Sequence, residues 1–321
     1  MTNPASIAET GAQILAAVRT VVVGMDDPLE IALATVLAGG HVLFEDVPGL
    51  GKTLAARSLA AALGLSFRRL QCTPDMLPGD VTGSYVYAPD TGGFVFRPGP
   101  IFTGLLLADE INRTTPKTQS AMLEAMAERQ VTVEGNSFAL APPFHIIATS
   151  NPIEYEGTYA LPEAQLDRFM VRLTVGYPSP DGETQILLNR VARQQEATSV
   201  TPVLDPARLL ELQHAVESIH IDPDIAGYCV ELTRETRTAP NVEVGASPRG
   251  SLGLLLLGRA LAALDGRDFV RPDDIKRIAV PVLAHRLTLT PQAWAQGVSA
   301  ADVVAGVVGR VAVPPAVRAL G

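Results

Sequence analysis

Cysteine is nearly absent from this chain: Cys72 and Cys229 are the only two in 321 residues, and they form no CxxC pair or metal-ligand spacing. That excludes a disulfide-stapled scaffold and a cysteine-bound metal, and both thiols are expected free and buried in a reducing compartment. Aromatic residues make up only 5%, with one tryptophan, Trp294, expected to anchor the packing of the last helices. The five histidines, His41, His145, His214, His220 and His285, fall in separate elements without HxxxH or HExxH spacing, which argues against a histidine metal site. No Gly-x-Ser-x-Gly elbow supports a serine hydrolase. Positive charge is scarce too, with 25 Lys and Arg against 34 Asp and Glu, a net charge of −9 and a pI near 5.1. Broad phosphate neutralisation needs clustered basic residues, so nucleic acid is disfavoured as a partner, and the acidic excess reads as solubility. The most apolar stretch, 252–264, is broken by Arg259 and falls far short of the roughly 20 residues of a membrane span. No basic segment precedes an apolar core at the N-terminus, so a secretory signal is not expected and the chain reads as cytoplasmic, without membrane insertion.

Hydrophobic content of 47% with 18% charged residues describes a globular protein, and the length suits two domains, each with its own core. The most informative segment is 44–53, where an apolar strand (41–44) delivers Asp46-Val47-Pro48-Gly49-Leu50-Gly51-Lys52-Thr53 into an alanine-rich helix (54–63). This is the strand-loop-helix context of a P-loop. The loop from Pro48 to Leu54 cradles phosphates with the backbone N–H groups that follow the proline, Lys52 reaches the β- and γ-oxygens, and the Thr53 hydroxyl holds Mg²⁺. Asp46 stands where the eight-residue pattern has its first glycine, and its carboxylate has to point away from a phosphate. A tight Gly-Pro turn before an ordinary helix is the plain alternative for this segment taken alone.

Two more apolar strands end in polar residues. Leu105-Leu106-Leu107-Ala108 runs into Asp109-Glu110, placing two carboxylates at the C-terminal edge of a buried strand, where open α/β sheets bind ligands. Asp109 suits the Mg²⁺ hydration shell and Glu110 suits a general base for an attacking water. The strand 144–149 ends in Ser150-Asn151-Pro152, and the Asn151 amide offers a donor and an acceptor for positioning that water; Asn-Pro as turn initiation stands beside this reading.

In chain order, helices are expected at 6–23 and 28–37 and a strand at 67–71, giving a mainly parallel sheet covered by helices. Hairpins are expected at 85–96 and 130–141. After Tyr177-Pro178-Ser179-Pro180 helical patterns follow at 181–195, 206–218, 223–237, 248–264 and 272–284, with a last helix at 297–313 and fraying after Pro314-Pro315. The boundary between an α/β domain (1–178) and a smaller all-helical domain (179–321) is placed at this proline pair.

With these strand ends in hand, the chain resembles the AAA+ ATPases and, within them, the MoxR family, over nearly its whole length. Ala108-Asp109-Glu110-Ile111-Asn112-Arg113, continuing through Pro116-Lys117-Thr118-Gln119 to Leu123-Glu124-Ala125-Met126, is similar to the family's extended Walker B signature. The segments 148–152, Glu156-Gly157-Thr158 and 161–169 are similar to its sensor 1 and arginine-finger region. The resemblance implies a five-stranded parallel P-loop sheet flanked by helices, with hairpin insertions and a helical lid. It implies Asn151 as sensor 1, Arg168 as a finger presented to a neighbouring subunit's γ-phosphate, and Arg249 as sensor 2. Read from spacing alone, Arg168 is a surface salt-bridge residue, and Asn112 and Arg113 either sense nucleotide or cap and pack. The family implies ATP and Mg²⁺ as cofactors, a homo-oligomeric ring, expected to be a hexamer, and chaperone-like work on a protein client, such as one with a von Willebrand factor A domain. The rival readings are a motor in a chelatase-like or DNA-remodelling complex, and a nucleotide-gated scaffold with little hydrolysis.

Overall fold

The computed structural model describes residues 3–90, 92–152, 158–195 and 197–314. Thr91, Glu156, Gly157 and Pro315, which figure in the expectations above, lie outside the described residues. Five strands, β1 (Val42–Glu45), β2 (Phe67–Gln71), β3 (Leu105–Asp109), β4 (His145–Ser150) and β5 (Val171–Leu173), form one sheet in the order β2-β3-β4-β1-β5, with every pairing parallel. β3, β4 and nearly all of β1 are buried, as continuous apolar runs in a parallel sheet require. The fifth strand was not located from sequence; Val171–Leu173 is too short to show a period.

Successive side chains of a strand face opposite ways, and the core divides accordingly. Val42, Phe44, Leu105, Leu107 and Ile147 join an apolar cluster with α1 (Pro4–Arg19), α2 (Asp26–Leu37) and α3 (Lys52–Ala62). Leu43, Leu106, Ala108, Ile146 and Ala148 join a second cluster under α4 (Pro116–Glu128). The N-terminal helix starts where Asn3 caps the Ser6 N–H at 2.9 Å, with Pro4 inside the first turn, and ends at Arg19 rather than running to 23.

The two expected hairpins are present, Gly83–Ala88 with Gly93–Pro98 and Gln130–Val133 with Asn136–Ala139. They join each other: Phe96 stacks on Phe138 at 3.9 Å between ring centroids, and Asn136 Nδ2 donates to the Tyr85 hydroxyl at 3.0 Å. At the outer end of the first hairpin Tyr87 and Phe94 pair across the strands and stay exposed.

Beyond β5 lie α5 (Pro180–Arg193), α6 (Pro206–Val216), α7 (Pro223–Thr238), α8 (Pro248–Leu264), α9 (Pro272–Leu283) and α10 (Ala300–Arg310), with one short antiparallel pair, Val242–Val244 with Thr288–Leu289. Five of these six helices start with proline in the first turn, and α10 starts where Ser299 caps the Asp302 N–H, three residues later than expected. The apolar cluster around α1 and α2 continues through α8 and α9. α5 lies where a helix is expected, but it buries none of its residues, leaving Ile186, Leu187, Leu188 and Val191 exposed. One expectation fails here. Trp294 is 79% exposed and anchors nothing; in the one-turn helix Pro291–Ala295 the buried residue is Ala293, and the next position points about 100° away. No helix among the described residues is long and apolar enough to cross a membrane.

Candidate functional site

β1 feeds its chain into a loop whose Gly49 and Gly51 sit at φ +85° and +81°, and a Cβ built on either meets nothing within 4 Å. Only glycine takes this conformation without strain, and the bare backbone faces an open cleft. Gly51 caps α3 without a side chain, so the first N–H groups of the helix remain available to an anion. Asp46 has turned its carboxylate outward, as a phosphate cradle requires. Its Oδ1 accepts from the Val47 N–H at 2.8 Å, and its Oδ2 from the N–H groups of Val175 and Gly176 at 2.8 and 2.7 Å. Burial alone raises Asp46, but those N–H groups and Lys52 outweigh it and hold the carboxyl below its ordinary value. The Lys52 ammonium donates to the Asp46 carbonyl oxygen, and burial pulls Lys52 down against the attraction of Asp46, Asp109, Glu110 and Glu45.

A cleft of about 360 Å³ opens at this loop. Pro48, Gly49, Gly51, Lys52, Thr53 and Leu54 line it; Leu50 is not among its lining residues. Asp109, Glu110 and Asn151 line it from the ends of β3 and β4, so the structure brings the expected phosphate-binding, acidic and sensor residues together. The Thr53 hydroxyl donates to Asp109 Oδ2 at 3.2 Å, and the Thr149 hydroxyl to Asp109 Oδ1 at 2.6 Å. A hydroxyl beside a carboxylate at the head of an anion cradle is a hard oxygen donor set, which fits Mg²⁺ shared with nucleotide phosphates. No cluster of three or more His, Cys, Asp or Glu among the described residues offers a metal site made by protein alone.

Glu110 leaves β3 in the left-handed conformation at φ +58°. A non-glycine residue held there costs about 1 kcal/mol or more, and such outliers gather at functional positions. The strain re-aims its side chain: the Glu110 N–H donates to Thr149 Oγ1 at 2.8 Å, while Gln71 Nε2 and one Arg113 nitrogen reach Glu110 Oε2 at 2.8 and 3.2 Å. Arg113 thus sits against the general-base candidate, and Asn112 Nδ2 donates to the Asn151 carbonyl at 3.1 Å. Sequence reasoning missed Arg69 and Gln71, which reach Asp109 and Glu110 from β2. A signal existed: two polar residues two apart on one strand share a face, and both lie at the end that reaches the ligand edge of the sheet.

Arg168 and Arg249 are not in that cleft. They line a second one, also of about 360 Å³, with His41, Arg129, Asp167 and Arg286. One Arg168 terminal nitrogen donates to the Leu123 carbonyl at 2.7 Å, fixing the guanidinium against the C-terminal half of α4. Asp167 is the hub. Arg286, with only 3% of its side chain exposed, reaches its Oδ1 at 2.8 Å, Ser247 Oγ donates to its Oδ2 at 3.1 Å, and Arg249 Nε lies 3.8 Å away. Burial lowers the Arg286 pKa and Asp167 opposes it. Asp167 lies inside the 161–169 segment without a role of its own there, and nothing in the sequence marked Arg286, because their pairing depends on how the helical region packs.

A family model described as "ATPase family associated with various cellular activities (AAA)" matches residues 41–171, and one described as "AAA lid domain" matches 234–307. Over 297 residues the chain is 48% identical to the uncharacterized protein YeaC of Bacillus subtilis, covering 92% of both chains. Over 306 residues it is 40% identical to chaperone MoxR1 of Mycobacterium tuberculosis, covering 92% of this chain and 80% of that one. A crystal structure from Cytophaga hutchinsonii, of a protein assigned as an ATPase, superposes with a TM-score of 0.89 at 35% identity over 96% of each chain.

Proposed function

Since the chain belongs to the MoxR family of AAA+ ATPases, we propose that it hydrolyses Mg²⁺-ATP in a ring of its own copies, a hexamer, and spends the energy on remodelling or activating a protein client. It is a P-loop ATP hydrolase. We take 1–178 as its nucleotide-binding domain and 179–321 as its lid.

In this reading Lys52 and the N–H groups of the Gly49–Leu54 turn bind the phosphates, and Thr53 and Asp109 hold Mg²⁺, which supplies charge neutralisation on the transferred phosphoryl group. Glu110 takes the proton of the attacking water and Asn151 orients that water. The observation that carries the ring is the division of the machinery: Lys52, Asp109, Glu110 and Asn151 line one cleft, Arg168 and Arg249 another. A head-to-tail contact that closes on itself brings the second cleft of one copy to the first cleft of the next. The exposed apolar side chains of α5, and Leu252 beside Arg249, support such a contact, because large apolar residues left exposed in clusters mark interaction surfaces. The exposed Tyr87–Phe94 pair on the hairpin gives a client an aromatic surface. The chelatase-like, DNA-remodelling and scaffold readings gain no support of this kind from the geometry.

The test is turnover per subunit against protein concentration, for the native chain, Glu110→Gln and Arg168→Ala. Turnover should rise with concentration and collapse in each variant alone, since a guanidinium at the γ-phosphate is worth about 10³ to 10⁵ in rate. Mixing the two inactive variants should restore turnover to about a quarter of native, the fraction of interfaces pairing an intact acid with an intact finger. Full turnover by Arg168→Ala, or no recovery on mixing, would refute the shared site.

A further inference from the structure

Asp109 Oδ2 carries more donors than it can keep while also engaging a cation. It accepts from the Thr53 hydroxyl at 3.2 Å and from two nitrogens of Arg69, Nε at 2.9 Å and a terminal nitrogen at 2.6 Å. A carboxylate oxygen has two in-plane lone pairs, so the guanidinium and a hydrated divalent cation compete for the same atom. They also repel one another. Arg69 is the group able to leave, because its side chain is 51% exposed on the edge strand β2, whereas that of Asp109 is 11% exposed.

The guanidinium has a second partner. Its terminal nitrogen donates at 2.7 Å to Gln71 Oε1, and Gln71 Nε2 donates at 2.8 Å to Glu110 Oε2. With the carbonyl end of the amide fixed by Arg69, the NH₂ end is aimed at Glu110. The two acids are therefore linked outside the sheet, through Asp109, Arg69, Gln71 and Glu110 in turn.

Resting on the nucleotide reading above, we propose that Arg69 competes with the divalent cation for Asp109 Oδ2, so that the cation engages Asp109 only as the guanidinium yields that atom. Gln71, as the second partner of the guanidinium, favours the arrangement in which Arg69 stays on Asp109.

Binding of the fluorescent, non-hydrolysable imido analogue of ATP is titrated against Mg²⁺ in the native chain, Arg69→Ala and Arg69→Lys. Removing a half-exposed ion pair as competitor lowers the half-saturating Mg²⁺ concentration about threefold to fivefold in Arg69→Ala. Arg69→Lys, which keeps a charge but not the fork to Gln71, falls between the two. Binding in EDTA reports whether each variant keeps a folded P-loop, and absence of binding by the native chain under both conditions would refute the nucleotide reading instead. An unchanged or raised half-saturation in Arg69→Ala overturns the competition; if that variant binds nothing, Arg69→Lys decides by the same criterion. Gln71→Ala takes away the second partner of the guanidinium and leaves Asp109 untouched, so it lowers the half-saturating Mg²⁺ concentration in the same direction as Arg69→Ala but by less. A raised half-saturation in Gln71→Ala overturns the competition.

Discussion

Asp46 occupies a place where a P-loop ordinarily has glycine, and the structure gives it work that glycine has no side chain to do. Three backbone N–H groups converge on its carboxylate, two of them from Val175 and Gly176 on the segment leading out of β5. A hydrogen bond to a charged acceptor contributes about 1.5–3 kcal/mol, but these amides lie near the surface and water replaces much of what is lost. Asp46→Ala should therefore cost about 2 kcal/mol of unfolding free energy rather than the sum of three bonds. Asp46→Asn should cost about half of that: its carbonyl oxygen can take the Val175 and Gly176 donors together, as Oδ2 does, and only the Val47 N–H is left facing an NH₂ group. Because the folded pKa is held below the ordinary 3.8, the carboxylate's contribution is fully present above that value and is lost as pH falls through the folded pKa. Urea unfolding of the three proteins from pH 7 downward checks both points. A deficit below about 0.5 kcal/mol at neutral pH, or an Asp46→Asn deficit that does not shrink as Asp46 protonates, would refute the reasoning.

Two further outcomes follow from buried groups. Burial pushes both thiols up to about 12, with Asp109 and Glu110 adding to the effect at Cys72, so an aromatic disulfide reagent at pH 8 should label neither in the folded protein and both in denaturant; rapid labelling of the native chain would show that one is reachable. Burial also lowers His41 to about 3 and His145 to about 4, so between pH 6.5 and those values the unfolded chain binds more protons and stability falls with pH. Roughly 2 kcal/mol per imidazole should be lost between pH 6.5 and 5, and an unfolding midpoint that is flat over that range would contradict it.

The P-loop and the acid pair were legible because each is carried by consecutive residues at the end of one strand, so local pattern alone fixes both the element and the chemistry. Arg69 and Gln71 were legible only in part. Their alternation on β2 was visible, but their reach to Asp109 and Glu110 depends on β2 pairing with β3 in register, Gln71 opposite Asp109. Arg168 and Arg249 came from resemblance, and no spacing could state that they share a cleft, since that follows from Asp167 meeting the Ser247 cap of α8. α5 stands where its helical pattern puts it, but periodicity does not say whether the surface that covers Ile186, Leu187 and Val191 belongs to the same chain. Trp294 shows the same limit, because a large apolar side chain beside a buried alanine in a single helical turn points outward.

Besides the Asp167 hub, the helical region and the nucleotide-binding region are held by two contacts of opposite character. One is a broad apolar contact, where α8 packs on α1 and α2 within a single continuous cluster, reinforced at its edge by Arg277 of α9 reaching Asp27 at 2.6 Å and Glu30 at 2.9 Å on α2. Parting those faces exposes apolar surface at about 25 cal/mol per Å², so this contact behaves as a fixed seat. The other is the segment between β5 and α5, which Asp46 grips through two N–H groups at the surface. Surface hydrogen bonds exchange with water at little cost, so this fastening is the one that can be remade. It is made by the residue whose carbonyl oxygen also receives the Lys52 ammonium. In the proposed reading, recruitment of Lys52 to phosphate would remove that donor from the Asp46 backbone, whose side chain holds the segment that enters α5. α5 is also the helix that buries none of its residues in its own chain. In the proposed ring, this would give a change at the phosphate cradle a short path to the surface that a neighbouring copy covers.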